Sequence, residues 1–286
     1  MITEEQFLEP LQYVVRKSDF VKINNKSINK YVRNFSPAKT CHWSKIYPLK
    51  YQRREKDDEG TRFLFLIGNL AFCFWGYPKK WTMSYEGKKL DGWWALVASC
   101  ERALENGMPL LKERKKILNQ IGETLINKYD GRFHIFYQEQ TKEAFSLIKK
   151  IAEEFYGFND MALYHGTKVL FYKKAQVVLT DINEIFKRGY GAIKNIEKLP
   201  GHDDYKIPAV MQKLSISEYN SELSKMIDNR IKIPVGSETE IEIRANMLWA
   251  THLICEKLKP KHPIINPSLL CGILWGESQT RSKDDN

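Results

Sequence analysis

The sequence predicts a mainly α protein, a single compact helical domain with a small β element near residues 63–90. Three observations carry that prediction. Apolar residues recur three and four apart along most of the 286 residues; hydrophobic residues make up 43% of the chain and aromatic ones 12%; and helix-start and helix-stop residues bracket the periodic stretches. That content fills a sizeable core and excludes the disordered and fibrous classes.

The elements follow in order. The first 35 residues carry two amphipathic helices, one with Phe7, Leu11, Val14 and Val15 inward, the other with Ile23, Ile28, Tyr31 and Val32. Residues 50–60 (KYQRREKDDEG) are a charged run expected as an exposed loop. The apolar block 63–75 (FLFLIGNLAFCFW) fits a buried strand or a buried helix, and a turn at Gly76, Tyr77 and Pro78 closes it. A short hairpin is expected at 81–85 with its turn at Gly87, then a helix over GWWALVASCERALENG that Gly107 ends. Further helices are expected at 110–129, 141–156, 173–188, 207–214, 217–227 and 238–258. Ser237 and Glu240 have the spacing of a capping box, and Pro109 sits just before the 110–129 helix. The last ten residues, ESQTRSKDDN, read as a frayed polar tail. The one domain divides into N-terminal helices and charged loop (1–60), an aromatic core segment (61–110), a helical part (111–276) and the tail (277–286).

With 45 Lys and Arg against 35 Asp and Glu, the formal net charge is +10. It suits an anionic partner, whether a nucleic acid, a nucleotide phosphate or a membrane surface, and a solvated basic surface fits equally because the cations are spread along the chain. The longest apolar stretch, 13 residues, is too short to span a bilayer, and MITEEQFLEP has no basic-then-apolar signal pattern. A soluble, unexported, cytoplasmic protein is expected. The five cysteines are odd in number and widely spaced without a CxxC, so neither a disulfide framework nor a zinc site is expected. No P-loop, GxGxxG, HExxH or GxSxG is present, which removes the commonest nucleotide, dinucleotide and esterase readings.

Two stretches remain as candidate chemistry. FYKKAQVVLTDI (171–182) places Lys173, Gln176 and Thr180 at helical spacing, with Ala175, Val178 and Leu179 on a face to be buried. A lysine at the start of such a helix can join the free amides and the dipole in holding a phosphate, or it can simply lie along the surface. In LPGHDDYKIPAVM (199–211), Asp203 and Asp204 precede Tyr205 and Pro208. One aspartate can be an N-cap; a carboxylate held by this turn can also accept a proton from water or stabilise positive charge. Of the aromatics Phe72, Phe74, Trp75, Trp81, Trp93 and Trp94, most belong to a core, and one ring can stack on a base.

Together NLAFCFW (69–75), GKKLDGWWALVASCERALENGMPL (87–110), KVLFYKKAQVVLTD (168–181), DYKIPAVMQKLSISEY (204–219) and ETEIEIRANMLWATHLI (238–254) resemble the queuosine salvage protein family. The match runs in order over nearly the whole chain. The resemblance implies a helical fold like that of DNA glycosylases. It also implies hydrolysis of a nucleotide's N-glycosidic bond, by default that of queuosine 5′-phosphate with release of queuine, without a metal or organic cofactor.

Residue by residue, the resemblance makes Asp204 the catalytic carboxylate and Lys173 the basic group near the 5′-phosphate. Oxocarbenium character develops on the ribose as the bond breaks, so a carboxylate beside the ring stabilises that charge and activates water. Trp93, Trp94, Phe72, Phe74 and Trp275 are expected as pocket walls, and His202, Tyr205, Asn25 and Cys271 as base or sugar contacts. The chain departs from the family pattern at three of these positions and at Gly276. His202 stands where an aromatic ring is usual, Cys271 and Gly276 where two acids are expected to read the base, and Asn25 where a histidine is expected. Asp203 is taken as a cap or supporting group. Another purine-like nucleotide, a DNA or RNA base glycosylase and a non-catalytic nucleotide-binding protein are the competing readings. A small nucleoside 5′-monophosphate is the favoured partner, ahead of nucleic acid.

Overall fold

The computed structural model describes residues 2–36, 57–74, 81–186 and 189–281. Their helices are α1 (Glu4–Lys17), α2 (Asn25–Arg33), α3 (Asp57–Leu70), α4 (Gly92–Ala98), α5 (Cys100–Glu105), α6 (Leu111–Tyr129), α7 (Phe133–Glu139), α8 (Ala144–Glu154), α9 (Lys173–Ile185), α10 (Lys206–Lys213), α11 (Ser221–Asp228), α12 (Glu238–Leu258) and α13 (Pro267–Arg281). Three two-stranded antiparallel sheets join them. They pair β1 (Val21–Ile23) with β6 (Ser217–Tyr219), β2 (Thr82–Tyr85) with β3 (Lys88–Asp91), and β4 (Met161–Tyr164) with β5 (Thr167–Leu170). The chain is mainly α, as its periodicity predicts.

The described residues gather into two compact units that alternate along the chain. The first takes its residues from Met1–Trp43, Asp160–Gln176 and Asn195–Asn286, the second from Ser44–Asn159 and Val177–Lys194. At the centre of the first unit lies α12, whose Ile241, Ala245, Leu248 and Ile254 are fully buried against α1, α2 and α13. Glu242 on the same helix is also buried, and it accepts the backbone N–H groups of Asp19 (3.1 Å), Phe20 (2.7 Å) and Val21 (3.3 Å) and the Tyr164 hydroxyl (2.9 Å). One carboxylate therefore satisfies the amides that the corner between α1 and β1 leaves over.

The second unit is built on aromatic packing. Phe65 stacks on Phe133 with centroids 3.8 Å apart, and Phe155 meets it edge-on at 4.8 Å. Arg114 is buried here with carbonyls for partners: Pro109 O (2.8 Å), Phe72 O (2.5 Å), Cys73 O (3.2 Å) and Leu70 O. It closes the C-terminal end of α3 and holds the segment after it, with Phe72 4.3 Å beneath the guanidinium.

Several sequence expectations change in detail. The block 63–75 is helical to Leu70, and the helix begins inside the charged run expected as a loop. A packing constraint accompanies this choice: a β-carbon on Gly68 would lie 2.2 Å from Val178, so α9 approaches α3 closely at that point. Residues 50–56 and the turn at 76–78 lie outside the described residues. The helix expected through 92–107 breaks at Ser99, whose hydroxyl accepts the Arg102 N–H and starts α5. The start of the 217–227 segment is strand β6, and Asn220 caps the helix that follows. Helix α7, the β4–β5 hairpin and α13 were not expected, and 277–281 of the supposed tail belong to α13.

Candidate active site

The first unit brings the two candidate stretches together. The β4–β5 hairpin returns the chain so that Asp160 O accepts the N–H groups of Phe171 (3.1 Å) and Tyr172 (2.9 Å). That closure sets Lys173 at the first position of α9, with its N–H 3.4 Å from Asp160 Oδ2. One turn later Gln176 donates to Phe171 O (2.7 Å) and accepts the Gly201 N–H (3.2 Å), tying the helix start to the turn that carries the aspartates.

Gly201 has φ +95°, and a β-carbon there would lie 2.8 Å from Cys271 Sγ and 3.2 Å from Pro267 O. Only glycine fits both the conformation and the space. The turn continues with Asp204 N–H donating to His202 O (2.9 Å) and Ile207 N–H to Asp204 O (2.9 Å). Asp204 Oδ1 accepts the Lys206 N–H at 3.1 Å, a turn just ahead of α10, whose N-cap position is Tyr205 and carries no side-chain capping bond.

Asp204 Oδ2 lies 3.1 Å from Lys173 Nζ, and the two side chains are 15% and 17% exposed. Asp203 turns the opposite way and is 1% exposed, its Oδ2 against Arg244 Nε. Arg244 also reaches Asp160 (2.6 Å) and Glu240 (3.1 Å), and its guanidinium lies 3.8 Å over the Phe171 ring. Ser237 caps α12 through the Glu240 N–H (3.3 Å) as expected. The Glu240 carboxylate bonds Gly236 N–H (3.3 Å) and Arg244 instead of completing the capping box.

The two adjacent carboxyls differ in acidity. Burial pushes Asp204 up, but the Lys173 ammonium and the Lys206 N–H outweigh it and hold the group below its ordinary value. Burial dominates at Asp203, Arg244 only partly offsets it, Asp160 adds repulsion, and the carboxyl is pushed up to about 6. Asp204 is thus a largely buried, ionised carboxylate next to an ammonium at a helix N-terminus. Such a pair can stabilise positive charge, take a proton from water and hold a phosphate oxygen.

The other expected site residues are distributed as follows. Tyr205 is exposed, and His202 and Trp275 are partly buried, with Lys206 Nζ 5.8 Å from the Trp275 ring centre. Cys271 does not line an open surface: it is fully buried beneath the turn, with the His202 N–H and Thr251 at its sulfur, and burial pushes its thiol up to about 12. Gly276 lies on α13. Asn25 is exposed at the start of α2, and the hydrogen bonds about Asp204 do not reach it. Phe72 and Phe74 belong to the second unit, where Arg114 lies 4.3 and 5.5 Å from their ring centres. The side chain of Trp93 lies outside the described residues, as does Trp75. Arg244 and Asp160 were not singled out from sequence; Arg244 stands in the quoted EIRA run, whereas nothing local marks Asp160. Among the described residues no group of three His, Cys, Asp or Glu side chains is arranged to hold a metal ion, and no helix is long and apolar enough to cross a membrane.

Comparison with known proteins points the same way. The family model described as queuosine salvage protein matches residues 49–109 and 105–286. A queuosine 5′-phosphate N-glycosylase/hydrolase from Sphaerobacter thermophilus is 32% identical over 77% of this chain and 76% of its own length. Proteins of the same name from Mus musculus and Bos taurus are 26% and 28% identical, covering 96% and 85% of this chain and 94% and 82% of theirs. With the family's sequence pattern matched from residue 49 to the C-terminus, the chain belongs to the queuosine salvage protein family.

Proposed function

We propose that this protein is an N-glycosidase that hydrolyses a nucleoside 5′-monophosphate, with queuosine 5′-phosphate as its substrate and queuine and ribose 5-phosphate as products. The observation that carries the reading is the Asp204–Lys173 pair at the start of α9, an ionised carboxylate 3.1 Å from an ammonium.

In the proposed reaction the C1′–N bond lengthens and positive charge spreads over C1′ and the ring oxygen. Asp204 lies beside that charge and receives a proton from the water that attacks C1′. The bonding electrons leave with the base, which takes up a proton as it departs. Lys173, on a flexible stem at a helix N-terminus, binds the 5′-phosphate, and this remote contact positions the sugar. Cys271 is buried and Gly276 has no side chain, which favours recognition of the base by other groups.

The test is incubation of the purified protein with queuosine 5′-phosphate and a panel of ordinary and modified nucleoside monophosphates, followed by mass spectrometry for free base. Queuine release that Asp204→Asn abolishes supports the reading. Release of another base alone moves the substrate within the same chemistry, and base release from duplex DNA or RNA in place of mononucleotides overturns it.

A further inference from the structure

Asp203 has no role in the chemistry above, yet it is the most deeply buried carboxylate of the cluster and one of its oxygens, Oδ1, has no hydrogen-bond partner. An unpartnered buried carboxylate oxygen is costly, so its persistence needs a reason. Its other oxygen, Oδ2, takes the Nε–H of Arg244, while Asp160 (2.6 Å) and Glu240 (3.1 Å) take the other two guanidinium nitrogens, so three carboxylates meet one cation and Asp203 is the one that belongs to the turn.

What Asp203 does is connect a short turn to a long helix. The turn leaves Leu199 and passes through Gly201, whose N–H is held by Gln176 and whose α-carbon rests against Cys271. Asp203 then attaches it to Arg244 in the second turn of α12. In this turn the two neighbours bond different partners, Asp203 to Arg244 and Asp204 to Lys173, so anchoring Asp203 holds the backbone from which Asp204 reaches Lys173.

We propose that Asp203 is a positioning residue, which through its ion pair with Arg244 fixes the turn that presents Asp204 to the ribose. The proposal rests on the N-glycosidase reading of the same site. The groups that face Asp203 are Arg244, Asp160 and Lys173, together with Asp204 beside it and Cys271 on α13; Glu240 acts through Arg244.

Two consequences separate this role from an ordinary stabilising ion pair. Because burial makes the Asp203 carboxyl a weaker acid in the folded state than in the unfolded chain, the proton binds more tightly in the folded state. The contribution to stability is then greatest at low pH and falls as pH rises toward about 6. At pH 7 the ionised side chain works against folding, so its neutral isostere Asp203→Asn keeps or raises Tm. Protonation below about pH 6 weakens the Arg244 pair, so wild-type kcat has an acid limb there that the variant lacks.

The experiment compares wild type, Asp203→Asn and Arg244→Gln for kcat and KM from pH 5 to 8, for binding of ribose 5-phosphate, for Tm, and for amide hydrogen exchange in 199–207. Asp203→Asn is expected to lower kcat by about thirtyfold with KM and ribose 5-phosphate binding within about twofold, to flatten the acid limb, and to speed exchange in that segment about tenfold. Wild-type kcat with an unchanged acid limb, or exchange in 199–207 no faster than in wild type, overturns the proposal, as does a large loss of Tm. Absence of nucleotide hydrolysis by wild type would fail the N-glycosidase reading, and the exchange and Tm arms then decide the positioning role alone. If Arg244→Gln fails to fold, Asp203→Asn carries the test.

Discussion

Asp203 and Asp204 are adjacent carboxylates with opposite surroundings, and their separation is the central residue-scale fact of the protein. Removing the carboxylate charge in Asp204→Asn is expected to lower base release by about a thousandfold in single-turnover assays while leaving Tm within a few degrees. Lys173 bonds that carboxylate and, in the proposed reaction, also holds the phosphate. In Lys173→Met, burial is left to dominate at Asp204 and its acidity falls, so activity should be lost at a higher pH on descending from neutrality. KM should rise in the same variant, and in the Asp203→Asn background, where the Asp203 limb is absent, an acid limb that Lys173→Met leaves unmoved would count against the pairing. Asp204 and Lys173 could be singled out from sequence because DYKIP and FYKKAQ are contiguous runs, and the structure places them 3.1 Å apart. The opposed directions of Asp203 and Asp204 could not be, since which neighbour turns inward depends on Arg244, 40 residues further along.

At the scale of elements, the site depends on short structures whose sequences carry little period. The β4–β5 hairpin is four residues a side and β6 is three, too few for alternation to stand out, yet the hairpin delivers Lys173 and β6 pairs with β1 below the α1 corner. That corner is held by Glu242. Glu242→Gln turns part of the acceptor into a donor facing backbone N–H groups, and should cost about 3 kcal/mol in denaturant unfolding. Gly201→Ala should reduce stability by about 2 kcal/mol, because the methyl meets Cys271 Sγ and the backbone conformation disfavours any β-carbon. It should also reduce kcat, since the same turn carries Asp204. The long helices were easier to foresee: α12 begins at the predicted Ser237 cap and runs to Leu258, with one face after another buried.

Across the whole molecule, the formal charge of +10 predicts an electrostatic contribution to capture of a phosphorylated substrate. Raising salt from about 20 to 300 mM should lower kcat/KM severalfold and leave kcat unchanged, because screening acts on encounter and not on the reacting pair. Stopped-flow binding over that range checks it. The mainly α class, the order of the longer helices and the family were determined by the sequence itself, because helical periodicity and contiguous motifs are local properties that survive in a linear reading. The alternation of the chain between two compact units, the choice of helix for the 63–70 block, and the ring of Asp160, Asp203 and Glu240 around Arg244 were decided by tertiary structure alone. Those features bring together residues as much as 84 positions apart, and only the burial of apolar faces against one another sets which charges meet behind them.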